Sequence, residues 1–72
     1  MSHADDCAAV LEHLIARGAT SLDDLADAMH WSRRTTNDVL CDLALKGQIG
    51  SFLAREKHGK VTKYDLKERV PR

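Results

Sequence analysis

Four side chains within five residues, Arg33, Arg34, Thr35 and Asn37, have the chemistry to read a nucleic acid. A guanidinium can grip a phosphate or pair with guanine through two hydrogen bonds, and an Asn amide pairs in the same bidentate way with adenine. A threonine hydroxyl can bond a phosphate or touch a thymine methyl. Ser32 stands before them as a helix cap, and the amides it leaves at the helix start add a phosphate site of their own. A second basic group follows: Arg55, Lys57, His58, Lys60 and Lys63 surround Gly59. A loop of that composition suits the phosphate backbone or a minor groove. Asp38 and Asp42 oppose this chemistry, since a carboxylate beside phosphate is repelled. Asp38 fits a contact face only by accepting from a cytosine amino group. The helix is therefore expected to enter a groove by its first two turns.

These groups need elements to hold them. A first helix is expected over residues 5–17, with Cys7, Val10, Leu11, Leu14 and Ile15 on one buried face. Asp5 and Asp6 suit its positive end and Arg17 its negative end, and Gly18 stops it. A second helix starts at Ser21, whose hydroxyl caps the free amides with Asp24 three residues on. Leu22, Leu25, Ala26 and Met29 form its stripe. The short connection at His30 calls for positive φ, which histidine tolerates better than a β-branched residue. Trp31 is expected to plug the gap between helices. A third helix runs from the Ser32 cap to Lys46, with Thr36, Val39, Leu40 and Leu43 inward, and Gly47 ends it. Residues 33, 34, 37, 38 and 41 then point mainly outward. Residues 49–56 and 61–66 read as strands around a tip at His58-Gly59. Phe52, Tyr64 and Leu66 are expected to close the core, and Ala19-Thr20 to add a short third strand.

At 72 residues the chain is one domain or part of one. Residues 5–66 form the expected domain, with residues 1–4 and 67–72 as flexible tails. The net charge of zero hides a split. Residues 1–30 hold one base and six acids, a net −5; residues 31–72 hold ten bases and five acids, a net +5. Such a chain can turn a basic face to phosphate.

Other chemistries find little footing. His3, His13, His30 and His58 are scattered, and neither Cys7 nor Cys41 belongs to a CxxC pair, so neither metal nor cofactor is expected. No serine or cysteine lies in a nucleophile motif and no Gly-rich phosphate loop is present, so an enzyme is not expected. No apolar run is long enough for a membrane span and no signal-peptide pattern opens the chain, which points to the cytoplasm.

Residues 19–66 resemble the winged helix-turn-helix domains of small prokaryotic transcription regulators of the MarR-like, ArsR-like and FaeA-like groups. The resemblance lies in Ser21-Leu22-Asp23-Asp24-Leu25-Ala26, Ser32, Leu40, Leu43, Lys46-Gly47-Gln48-Ile49 and the pair Tyr64 and Leu66. It implies an α+β, mainly α fold of three helices with a two- to three-stranded hairpin wing. It also implies sequence-specific binding of double-stranded DNA in transcriptional control. Helix 3 also resembles that of Z-DNA-binding Zα domains at Arg33, Arg34, Asn37, Leu40 and Leu43. Cys41 replaces their stacking tyrosine, however, and Val61-Thr62-Lys63-Tyr64 replaces their proline-rich wing. The long dimerisation helices of MarR-like proteins have no counterpart, so a free monomer that assembles on DNA or with a partner is expected. The alternative is a protein-interaction module, with Asp23, Asp24 and Asp27 as the partner surface.

Overall fold

In the computed structural model, which describes residues 3–71, three helices pack on a three-stranded antiparallel sheet. The order is α1 (His3–Arg17), β1 (Thr20–Ser21), α2 (Leu22–Met29), α3 (Arg33–Leu45), β2 (Ile49–Glu56) and β3 (Gly59–Leu66). A single 3-10 turn, Lys67–Arg69, follows. The chain is thus a small α+β fold with helix predominant. No helix among the described residues is long and apolar enough to cross a membrane.

Local chemistry sets most of the boundaries. The Ser21 hydroxyl accepts the Asp24 amide at 3.2 Å and so opens α2. His30 closes that helix in the left-handed conformation, φ 58°. Gly18 and Gly47 follow α1 and α3 at φ 81° and 75°, a conformation that costs glycine nothing. α1 starts earlier than expected, at His3, so residues 3 and 4 belong to the helix. Residues 1 and 2 of the expected N-terminal tail lie outside the described residues, as does Arg72.

The core is one cluster. Cys7, Val10 and Leu14 come from α1, Leu25 from α2, Val39, Leu40 and Leu43 from α3, and Ile49 from β2. Trp31, Tyr64 and Leu66 are half-buried against it. Each fully buried leucine contributes about 1.5–3 kcal/mol. Ile15, expected in this face, is instead 58% exposed. It lies one residue, about 100° of helix, beyond Leu14, which takes the central position. Leu45 is 88% exposed, in keeping with its place outside the α3 stripe.

β3 is the central strand, with β1 on one side and β2 on the other. The β2–β3 register pairs Ile49 with Leu66, Ser51 with Tyr64 and Glu56 with Gly59, leaving Lys57-His58 as the two-residue tip. Directly opposed residues share a face, and neighbours along a strand alternate. Ile49, Tyr64 and Leu66 therefore share the core face. Phe52, opposite Lys63, takes the other face and is only half-buried outside the core cluster. The expected core role of Phe52 falls to Ile49. The third strand is Thr20–Ser21, one residue beyond the expected Ala19-Thr20, and it pairs Thr20 with Tyr64.

Residues 67–71, expected to be a loose tail, are docked. The Lys67 amide donates to the Gln48 carbonyl at 3.1 Å, and the Arg69 guanidinium donates to the Leu14 carbonyl at 3.3 Å. Val70 is half-buried against Gly50, where an added methyl would stand 3.0 Å from the Val70 Cγ2. The physical reason is the missing side chain at Gly50, which leaves a seat for an apolar residue that composition alone does not place.

Candidate nucleic-acid interface

The turn before α3 is fixed by its own hydrogen bonds. With His30 at positive φ, the Trp31 amide reaches back to the Ala26 carbonyl at 3.0 Å. Ser32 follows in extended conformation, and its Oγ accepts the Thr35 amide at 3.1 Å. The Ser32 hydroxyl donates to the Thr35 hydroxyl at 3.0 Å, and the buried Thr36 hydroxyl donates to the Ser32 carbonyl at 2.9 Å. Ser32 and Thr35 are thus tied to each other, while the Thr35 hydroxyl keeps its own proton for another acceptor. The amides of Arg33 and Arg34, in the first turn, have no intrahelical acceptor.

Ser32, Arg33, Arg34, Thr35, Asn37 and Asp38 are all exposed, as are Arg55, Lys57, His58 and Lys60 on the hairpin. Two of the expected cations already have partners. Arg33 Nε lies 3.0 Å from Asp23 Oδ1, with both side chains well exposed. Lys63 Nζ lies 2.8 Å from Glu56 Oε1. That hydrogen bond and charge raise the Lys63 ammonium above its ordinary range. Lys63 is also only half-exposed, unlike the four basic residues nearer the tip. Among the described residues no carboxylate pairs with Arg34, Arg55, Lys57 or Lys60.

Asp23 is the hinge of this surface. It stands at the first turn of α2, paired with Arg33, and it lines a shallow hollow together with Asp24, Lys57 and His58. The hairpin tip therefore adjoins the start of α2, and reaches the start of α3 across Asp23. The charge split along the sequence does not become two separate poles here. Acids of the first half and bases of the second interleave.

Asp42, expected on or beside the contact face, is turned toward α1. Its Oδ2 meets His3 Nε2 at 3.0 Å, Lys46 Nζ at 3.0 Å and the Cys7 thiol at 3.7 Å. Hydrogen bonds from Lys46 and then His3 hold its carboxyl below the usual aspartate range. Burial, reinforced by the Asp42 charge, pushes the Cys7 thiol up. The donor atoms of His3, Cys7 and Asp42 all lie within 4.8 Å of one another. Sequence spacing hid this trio because Asp42 reaches it only through the packing of α3 on α1. The signal present was His3 and Cys7 four residues apart on one helix face. Cys41 is exposed and its thiol is free.

No family model, curated protein or solved structure gives a significant match to the chain.

Proposed function

We propose that the chain is a winged helix that binds double-stranded DNA in transcriptional control. α3 enters the major groove by its first two turns, and the β2–β3 hairpin lies along the phosphate backbone. The observation that carries this reading is the exposed set Arg33, Arg34, Thr35 and Asn37 on a capped helix start, beside a tip where, among the described residues, no carboxylate pairs with Arg55, Lys57 or Lys60. The Arg33–Asp23 pair is no obstacle, because an exposed pair is worth about 0–1 kcal/mol and yields to a phosphate. The chain acts as a monomer that gains specificity by assembly on DNA or with a protein partner.

A gel-shift series against random duplex DNA at low and high salt tests this. Four phosphate contacts give a roughly hundredfold loss of affinity between ~50 and ~200 mM salt. Absence of binding even at low salt rejects the reading.

A second reading draws on the paired cations. Arg33 and Lys63 are already neutralised, and Leu45 is 88% exposed at the end of α3. Both features suit a winged helix that docks on another protein without touching DNA. Binding to a protein partner with a shallow salt dependence, and none to duplex, supports it.

A further inference from the structure

We propose that His3, Cys7 and Asp42 bind a zinc ion that clips the start of α1 to α3. The site lies where α3 faces α1 and is independent of the DNA-binding reading.

Geometry comes first. His3 and Cys7 are four residues apart on α1, so their side chains stack on one face, and Asp42 projects to them from α3. A tetrahedral zinc ion, with bonds of about 2.0–2.3 Å to N, O and S, holds its nitrogen and oxygen ligands about 3.4 Å apart and its sulfur and oxygen ligands about 3.6 Å apart. The corresponding separations are 3.0 Å for His3 Nε2 to Asp42 Oδ2 and 3.7 Å for Cys7 Sγ to the same oxygen. The third pair, His3 Nε2 and Cys7 Sγ, lies within 4.8 Å and closes toward the ~3.6 Å that zinc imposes by movement of the His3 side chain, which is 55% exposed.

Chemistry agrees. One imidazole, one thiolate and one carboxylate form a mixed donor set of borderline softness, which suits zinc better than magnesium or calcium. Three protein ligands leave the fourth position to water. Cys7 is a buried residue at 7% exposure with its sulfur already beside Asp42, while the exposed His3 gives the ion an entry path.

Lys46 is the competitor, since its ammonium bonds Asp42 Oδ2. Among the described residues the polar contacts of this carboxylate fall on Oδ2, so Lys46 can move to Oδ1 and become the outer partner that orients the ligand. On binding, a zinc–sulfur bond replaces the S–H bond and the thiol proton leaves to solvent. The proton that His3 Nε2 shares with Asp42 Oδ2 in the metal-free chain also leaves that nitrogen, exchanging through solvent, so that the ring carries its one proton on Nδ1 and Nε2 offers its lone pair. No electron changes hands.

Cobalt(II) titration of the full chain, with zinc as competitor, tests the site. The expected result is a thiolate-to-cobalt charge-transfer band with tetrahedral visible bands, both erased by zinc. The charge-transfer band persists in Cys41→Ser and vanishes in Cys7→Ser. His3→Ala, which alters an exposed side chain and leaves the core intact, weakens binding by at least about tenfold, the scale of losing even an outer-shell partner. No band with cobalt in excess, a band that follows Cys41, or unchanged affinity in His3→Ala overturns the proposal.

Discussion

The Nε of Arg33 lies 3.0 Å from Oδ1 of Asp23, so an ion pair joins the first turn of α3 to the first turn of α2. This guanidinium, exposed to an incoming phosphate, therefore carries a carboxylate beside it. Removing that carboxylate separates the two proposed roles of the surface. Asp23→Asn is expected to tighten duplex binding severalfold and steepen its salt dependence, because a repulsive charge leaves the contact zone. Stability should fall by less than about 1 kcal/mol, since the pair is exposed and the helix start loses one favourable anion. Electrophoretic titration beside a urea melt reads both. Weaker duplex binding by the variant would count against a phosphate at Arg33.

The hairpin lysines divide by their partners. Lys57→Ala and Lys60→Ala should each reduce the salt slope of DNA binding by about 0.9, uniformly across sequences. Lys63→Ala should change it least, because Lys63 is already bonded to Glu56. A salt-slope series over the three single variants checks this order, and a Lys63 effect as large as the others would contradict it.

These groups show how far sequence reaches. Ser21, Ser32 and His30 announce their roles locally, since a cap or a left-handed turn needs only its neighbours. Phe52 was also open to a local argument. A two-residue hairpin loop fixes parity between its strands, and that parity puts Phe52 on the face away from Tyr64 and Leu66. Asp42 was not legible, because which side of α3 meets α1 depends on how the helices dock. Nor was Val70, whose seat exists only because Gly50 lacks a side chain and lies alongside it in the folded chain. The interleaving of charge at Asp23 is likewise a product of tertiary packing.

Acid stability should report on Asp42. Hydrogen bonds from Lys46 and His3 lower its folded pKa, so the stability it contributes is complete above the ordinary aspartate value of about 3.9. That contribution disappears as pH falls through the lowered folded value. Asp42→Asn should be less stable than the parent at neutral pH, with the gap closing at strongly acid pH. Urea midpoints at pH ~5 and pH ~2 make the comparison. A gap that stays constant with pH would show that the carboxylate's charge is not what matters.

Gly50 and Val70 should be energetically coupled. Gly50→Ala places a methyl 3.0 Å from the Val70 Cγ2, and the valine has to give way. Val70→Ala removes the obstruction and most of the seat's value. A double-mutant cycle should return a coupling of about 0.5–3 kcal/mol, with the second substitution costing less in the presence of the first. Additive losses would mean that the 67–71 segment contributes nothing in solution.

His30 can be probed by its backbone alone. His30→Val forces a β-branched residue to φ 58° and should cost about 1–2 kcal/mol, while His30→Gly should be neutral or better. Thermal melts of the two variants give the comparison. Equal melting temperatures would show that the turn relaxes freely.

The pairing of Thr20 with Tyr64 also sets a timetable for a chain emerging from a ribosome. α1, α2 and α3 are all synthesised before β1 has anything to pair with, and β1 supplies Ser21, the residue that caps α2. Until Tyr64 is out, the three helices can associate but their sheet edge stays bare. Completion then comes in one late event, when β3 slides between a strand made early and a strand made just before it. Such distant closure is slow relative to helix formation, so a translation pause ahead of Gly59 would expose the helical intermediate longest.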